Sequence, residues 1–160
     1  MDTARYVVAV IIIVSFPPAF GFWLLAHPFM KFWRKLGPGL SYAIILCACI
    51  AGGVVTYRLR GSLLTVDYGT VPALWPLAMF LYGLAIYIEI RVRKHLKRKI
   101  LLGVPEFWSD TKPGRLLTEG PYARVRHPRY VAVILAFVAW SLFANYQAVY
   151  VLLLLSVPVV

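Results

Sequence analysis

The sequence predicts an all-α fold, a polytopic integral membrane helical bundle of about five transmembrane segments. Three observations carry this expectation. The 160-residue chain is 61% hydrophobic and 14% charged, outside the composition of soluble globular domains. Its apolar residues fall in long uncharged runs. Its 17 Lys and Arg crowd into the segments flanking those runs, as topology signals in membrane proteins do. The length fits one domain, 1–160.

The first run, about 6–26, is long enough to cross ~30 Å of hydrocarbon at 1.5 Å per residue. It is too long for a signal-peptide core and no small-x-small site follows before His27-Pro28, so it reads as a retained helix. Pro17-Pro18 predicts a kink or break, with the freed carbonyls satisfied by neighbours or by Ser15. A polar connector with Lys31, Arg34 and Lys35 leads to a Gly37-Pro38-Gly39 turn. The second segment is about 40–57, where Gly52-Gly53 offers close helix approach. A connector with Arg58, Arg60 and Asp67 reaches the third, about 72–90, anchored by Trp75 at the interface. Glu89 stands four residues before Arg93. A helical ion pair is the plain reading of that spacing, and a catalytic carboxylate the sharper one.

The fourth segment is about 130–144 and the fifth 148–160, separated by Asn145-Tyr146-Gln147. One helix from Tyr130 to Val160 would run ~46 Å, too long for a single crossing, so a tight hairpin is expected. Thirteen residues reach only ~20 Å, so the fifth helix is expected to stay shallow or to continue beyond this sequence.

Fourteen of the 17 Lys and Arg fall on one side of this layout. The positive-inside rule then places the N-terminus outside and the 91–129 connector in the cytoplasm. The net charge of +11 does not point to nucleic acid, because no recognition helix, zinc spacing or aromatic-rich basic strand accompanies it. No metal is expected. Cys47 and Cys49, two apart on a helix, point to different faces and read as small core residues.

Only the 91–129 connector is long enough to build a site, and its informative part is 114–130. Gly120-Pro121 is a turn. Pro128 suits the first position of the fourth helix, leaving the amides of Arg129 and Tyr130 for an anionic group. Arg126, His127, Tyr122 and Tyr130 gather there. Arg126 can hold a carboxylate in two-pronged geometry. His127 can donate or accept a hydrogen bond, and the tyrosines offer ring faces to an adenine or a sulfonium. The alternative is a juxtamembrane helix cap with snorkelling arginines.

The pattern Leu116-Leu117-Thr118-x-Gly120-Pro121-Tyr122, then Val125-Arg126-His127-Pro128-x-Tyr130 opening an apolar helix, resembles the isoprenylcysteine carboxyl methyltransferase family. The related membrane phospholipid methyltransferases share it. The hydrophobic layout is similar over most of the chain, but only 114–130 is specific. The resemblance implies an S-adenosylmethionine-dependent methyltransferase without a Rossmann domain, and no G-x-G-x-x-G follows any strand pattern here. It implies cofactor contacts at Gly114, Arg115, Leu116, Leu117, Tyr122, His127, Pro128, Arg129 and Tyr130. Arg126 is the candidate catalytic residue, or orients the motif.

The implied reaction is methyl transfer to a lipophilic or membrane-associated acceptor: an isoprenylcysteine carboxylate, a phospholipid or a thiol. The basic run from Arg91 to Lys99 would hold the domain against anionic lipids or fix topology. Family members usually continue past the fifth helix into a segment with paired glutamates and an arginine. Ending at Val160, the chain is expected to lack that catalytic segment, as a truncated or degenerate relative or one completed by a partner. Two rivals follow: a non-catalytic membrane homologue acting in structure or assembly, and a nicotinamide-dependent membrane reductase of the sterol type. The larger helix count of such reductases argues against the second.

Overall fold

Long apolar runs with no water to compete for backbone groups become helices, since that alone satisfies every N–H and C=O in hydrocarbon. The computed structural model describes residues 2–26, 28–94, 120–123 and 125–157, and among these there are seven α-helices. They are α1 (Asp2–Ala26), α2 (Met30–Leu36), α3 (Pro38–Arg58), α4 (Arg60–Leu63), α5 (Trp75–Arg93), α6 (Pro128–Ala144) and α7 (Gln147–Ser156). Short 3-10 turns occupy Pro72–Leu74 and Gly120–Ala123.

Three helical stretches are long and apolar enough to cross a membrane: Asp2–Gly21, Pro38–Arg58 and Pro72–Arg93. The fourth and fifth expected segments are shorter apolar helices. α6, with 17 residues, rises ~25 Å; α7, with 10, rises ~15 Å, about half the hydrocarbon core.

The structure differs from the sequence reading at several boundaries. α1 begins at Asp2, whose carboxylate sits in the first turn, where the helix dipole favours it. α1 also runs through Pro17-Pro18 without a break. Pro18 supplies no N–H to the Val14 carbonyl four residues back, and that oxygen lies 3.5 Å from where a Cβ on Gly53 of α3 would stand. This is ordinary contact distance, so α1 and α3 pack closely without strictly requiring glycine there. The connector after α1 is itself helical: α2 buries Trp33 against Ile45 of α3.

At the far end, the chain does turn where Asn145 interrupts the apolar pattern. Asn145 takes φ 56°, ψ 44° and its N–H caps the Ser141 carbonyl. That left-handed conformation is one asparagine tolerates better than most residues.

α5 and α6 form the most extensive helix pair, and α1 packs on α3, α6 and α7. Buried Ala78 and Ala85 on α5 and Ala132 and Ala139 on α6 are the small residues that let membrane helices approach. The main apolar core lies at α1, α6 and α7, around Ile12, Ile13, Phe137 and Val149. Phe16 lies over Phe137 with ring centroids 3.9 Å apart. Large apolar side chains such as Met79, Phe80 and Leu154 project outward, as a lipid-facing surface requires.

One end of the bundle is tied by a charged clasp. Arg5, only 1% exposed, donates from Nε to the Ala144 carbonyl at 3.2 Å. Its Nη1 reaches Asp2 at 3.2 Å and Thr70 at 3.1 Å, and its Nη2 pairs with Asp67. The Gly69 N–H donates to the same Asp67 carboxylate at 2.8 Å. Asn145 donates to the Gly69 carbonyl at 2.9 Å and accepts from the Tyr150 hydroxyl at 2.9 Å. An antiparallel bridge joins Asp67 to Tyr146. The clasp therefore joins α1, the connector before α5 and the α6–α7 turn.

Removing Arg5 would leave Asp67 and the Ala144 carbonyl without their cation. Arg5→Met is expected to destabilise the protein by about 2–4 kcal/mol, between the cost of one unsatisfied buried group and that of a severed buried pair. Reversible denaturation in detergent micelles checks it. Burial raises the Asp67 pKa, but the Gly69 N–H and Arg5 outweigh it and hold the carboxyl below its ordinary value. A depressed folded pKa means that this stabilisation is complete above the unfolded value of about 4 and is lost as pH falls through the folded one. Thermal melts are expected to show an acid-side loss of stability below about pH 4 that shrinks in Asp67→Asn.

Candidate functional site

The opposite end of the α5–α6 pair carries the residues that the sequence singles out. Pro128 occupies the first turn of α6 and is buried. Proline restricts the residue before it to extended conformations, and His127 takes φ −129°, ψ 64°. The His127 carbonyl then accepts from the Tyr130 N–H at 3.1 Å and the Val131 N–H at 3.4 Å. The Tyr130 amide, expected to be open to an anion, is thus engaged in closing the first turn.

The imidazole of His127 and the ring of Tyr130, three residues apart on one helix face, stack at 5.2 Å between centroids and 17° between planes. His127 is exposed and Tyr130 half-buried. Together they present a flat π surface at the helix start. Arg126 beside them is exposed.

Gly120 opens its 3-10 turn with φ 61°, a conformation that costs glycine little. The turn packs on α5, and the Val125 N–H closes onto the Pro121 carbonyl at 3.1 Å. Tyr122 is half-buried there. Burial pushes its phenol up from its ordinary pKa; the Arg129 charge opposes that shift and the Glu89 charge adds to it. Tyr122, Arg129 and Glu89 thus share one electrostatic neighbourhood.

Between α5 and α6 at this end runs a groove of about 390 Å³. Its α5 wall is Tyr82, Ala85, Ile86, Glu89, Ile90 and Arg93. Its α6 wall is Arg129, Ala132, Val133 and Ala136. Arg93 donates from Nε to Glu89 at 2.9 Å, the helical ion pair that the sequence spacing suggested. The Glu89 side chain is nevertheless a wall of the groove, across from Arg129.

The structure thus brings Tyr122 and Arg129 into one neighbourhood and His127 and Tyr130 into one stack. One residue along α6 is a rotation of ~100°, so Arg129 can line the groove while Tyr130 stacks on His127. Gly114, Arg115, Leu116 and Leu117 lie outside the described residues. Sequence reasoning did not place Glu89 opposite Arg129. The two are forty positions apart, and the only local signal was a carboxylate at the end of an apolar helix.

A family model described as phospholipid methyltransferase matches residues 75–160. No curated protein matches the chain, and no solved structure does. The matched stretch covers more than half of the chain and contains α5, the Tyr122 turn, α6 and α7.

The position of Tyr122 makes its ionisation measurable. In an alkaline titration followed by phenolate absorbance, Tyr122→Phe is expected to remove signal only above pH ~10, the ordinary tyrosine value. Glu89→Gln is expected to move that component down, because it deletes a charge that disfavours the phenolate.

Proposed function

The chain belongs to the phospholipid methyltransferase family, and from that premise we propose that it transfers a methyl group from S-adenosylmethionine to a lipid acceptor at the cytoplasmic surface of a membrane. The observation that carries this reading is the start of α6, where a stacked His127–Tyr130 pair and Arg126 stand beside a groove that opens between two membrane helices.

The residues present suit such a donor. The exposed Arg126 guanidinium suits the carboxylate of its amino-acid moiety. The flat His127–Tyr130 surface suits its adenine ring or sulfonium. Pro128 sets the angle at which His127 enters the helix, and Tyr122 covers the α5 side. By sequence resemblance, Gly114, Arg115, Leu116 and Leu117 complete the binding segment. When bound, S-adenosylmethionine supplies an electrophilic methyl group on a sulfonium, poised for displacement by a nucleophile.

The protein's contribution is alignment. Holding donor and acceptor in line removes most of the entropic barrier of a bimolecular step. Arg126 and the aromatic pair would fix the donor on the aqueous side, while the groove admits the acceptor sideways from the bilayer. Arg129 would be the hinge between them, rooted in the α6 turn that carries the motif and facing the groove.

The orientation follows from charge. Fourteen of the 17 Lys and Arg sit in the segments at the motif end or in the connector before α3, so this end faces the cytoplasm. The Arg5 clasp then faces outward.

Isothermal calorimetry of detergent-purified protein with S-adenosylhomocysteine tests the reading. Saturable binding is expected, weakened about tenfold or more by Arg126→Ala and by Tyr130→Ala, the cost of one charge-assisted bond or one ring contact in a partly buried site. No binding by the wild-type chain would instead favour a non-catalytic relative.

A further inference from the structure

We infer that the groove between α5 and α6 is the acceptor subsite, and that Glu89 is its specificity-determining residue, selecting a lipid with an amine in its head over a purely anionic one. The inference rests on the methyl-transfer reading for the identity of the reaction, but on separate observations for the site.

The groove is polarised along its length. Glu89, Arg93 and Arg129 stand at one end, and the walls beyond them are apolar. Tyr82 closes that stretch and is also a wall of a second, almost wholly apolar groove of about 240 Å³ with Met79, Trp140 and Phe143. From Arg129 to Phe143, α6 rises ~21 Å, more than half of a ~30 Å hydrocarbon core. The seam can therefore accompany an acyl chain through one leaflet while its head stays at the charged mouth. Ala85, Ala132 and Ala136 leave the room.

The charges at the mouth decide which head fits. Two guanidinium groups complement a phosphate. An anion alone would satisfy them but would also meet the Glu89 carboxylate, a like-charge contact that selects against it. A head that carries an ammonium beside its phosphate meets both signs. Arg93 takes one bond from Glu89, and a carboxylate accepts up to about four, so capacity remains for an ammonium. Glu89 thus disfavours the carboxylate acceptor among those that the sequence left open.

Native mass spectrometry of the full chain tests this, with dioleoyl phosphatidylethanolamine and dioleoyl phosphatidylglycerol competing at equal concentration. The wild type is expected to retain the ethanolamine lipid preferentially. Glu89→Gln is expected to cut that preference about tenfold, the worth of one charge-assisted hydrogen bond, with S-adenosylhomocysteine binding unchanged. Arg93→Gln, which breaks the same ion pair from its other side, is expected to keep the preference, as a merely structural pair would not. Ala136→Trp is expected to reduce retention of both lipids. Equal retention of the two lipids by the wild type, or an unchanged preference in Glu89→Gln, overturns the inference. A lipid preference without S-adenosylhomocysteine binding supports the subsite while refuting the methyl-donor reading. Donor binding without lipid preference does the reverse.

Discussion

The pairing of α5 with α6 is the constraint on which the rest of the structure depends. In a bilayer, lipid is as apolar as the helices, so association rests on close packing and polar contacts, with little hydrophobic drive. Ala78 and Ala85 on one helix and Ala132 and Ala139 on the other supply the packing. The groove opens along the same seam, where Glu89 and Arg129 face it in place of a tight contact. Its polar mouth adjoins the turn that carries Tyr122 and the helix start that carries His127 and Tyr130. A change in the α5–α6 crossing would displace both partners of the proposed reaction together.

The opposite end of the bundle is fixed by other means. Arg5 is buried among an oxygen from α6, two carboxylates and a hydroxyl. Desolvating a guanidinium is costly, and such an arrangement is worth keeping for geometry more than for net stability. It ties the first residues of α1 to the connector before α5 and to the end of α6. Both helices of the seam are thereby held at the end remote from the motif. Among the described residues, no buried side-chain donor or acceptor is left without a partner.

Much of this architecture was legible in the sequence because it depends on local chemistry. Long apolar runs mark the membrane helices, Pro128 marks the start of α6, and Asn145 marks the turn before α7. Elements set by tertiary context were not legible. The residues around Trp33 read as a polar connector because three cations surround them, yet burial of Trp33 against Ile45 makes them a helix. Pro17-Pro18 read as a kink or break, but neighbouring helices support α1 through it. The motif at 125–130 was legible as a pattern of residue types. The facing of Glu89 and Arg129 was not, since it arises only when two distant helices pair.

The account's central claim is one of place: the donor binds at the start of α6, next to the α5–α6 groove. Ultraviolet cross-linking of radiolabelled S-adenosylmethionine to the purified chain, followed by peptide mapping, tests that placement most directly. The account expects label in the peptides spanning residues 114–131, displaced by excess S-adenosylhomocysteine. Label confined to the Arg5 end of the bundle, or label that excess S-adenosylhomocysteine fails to displace, would contradict it.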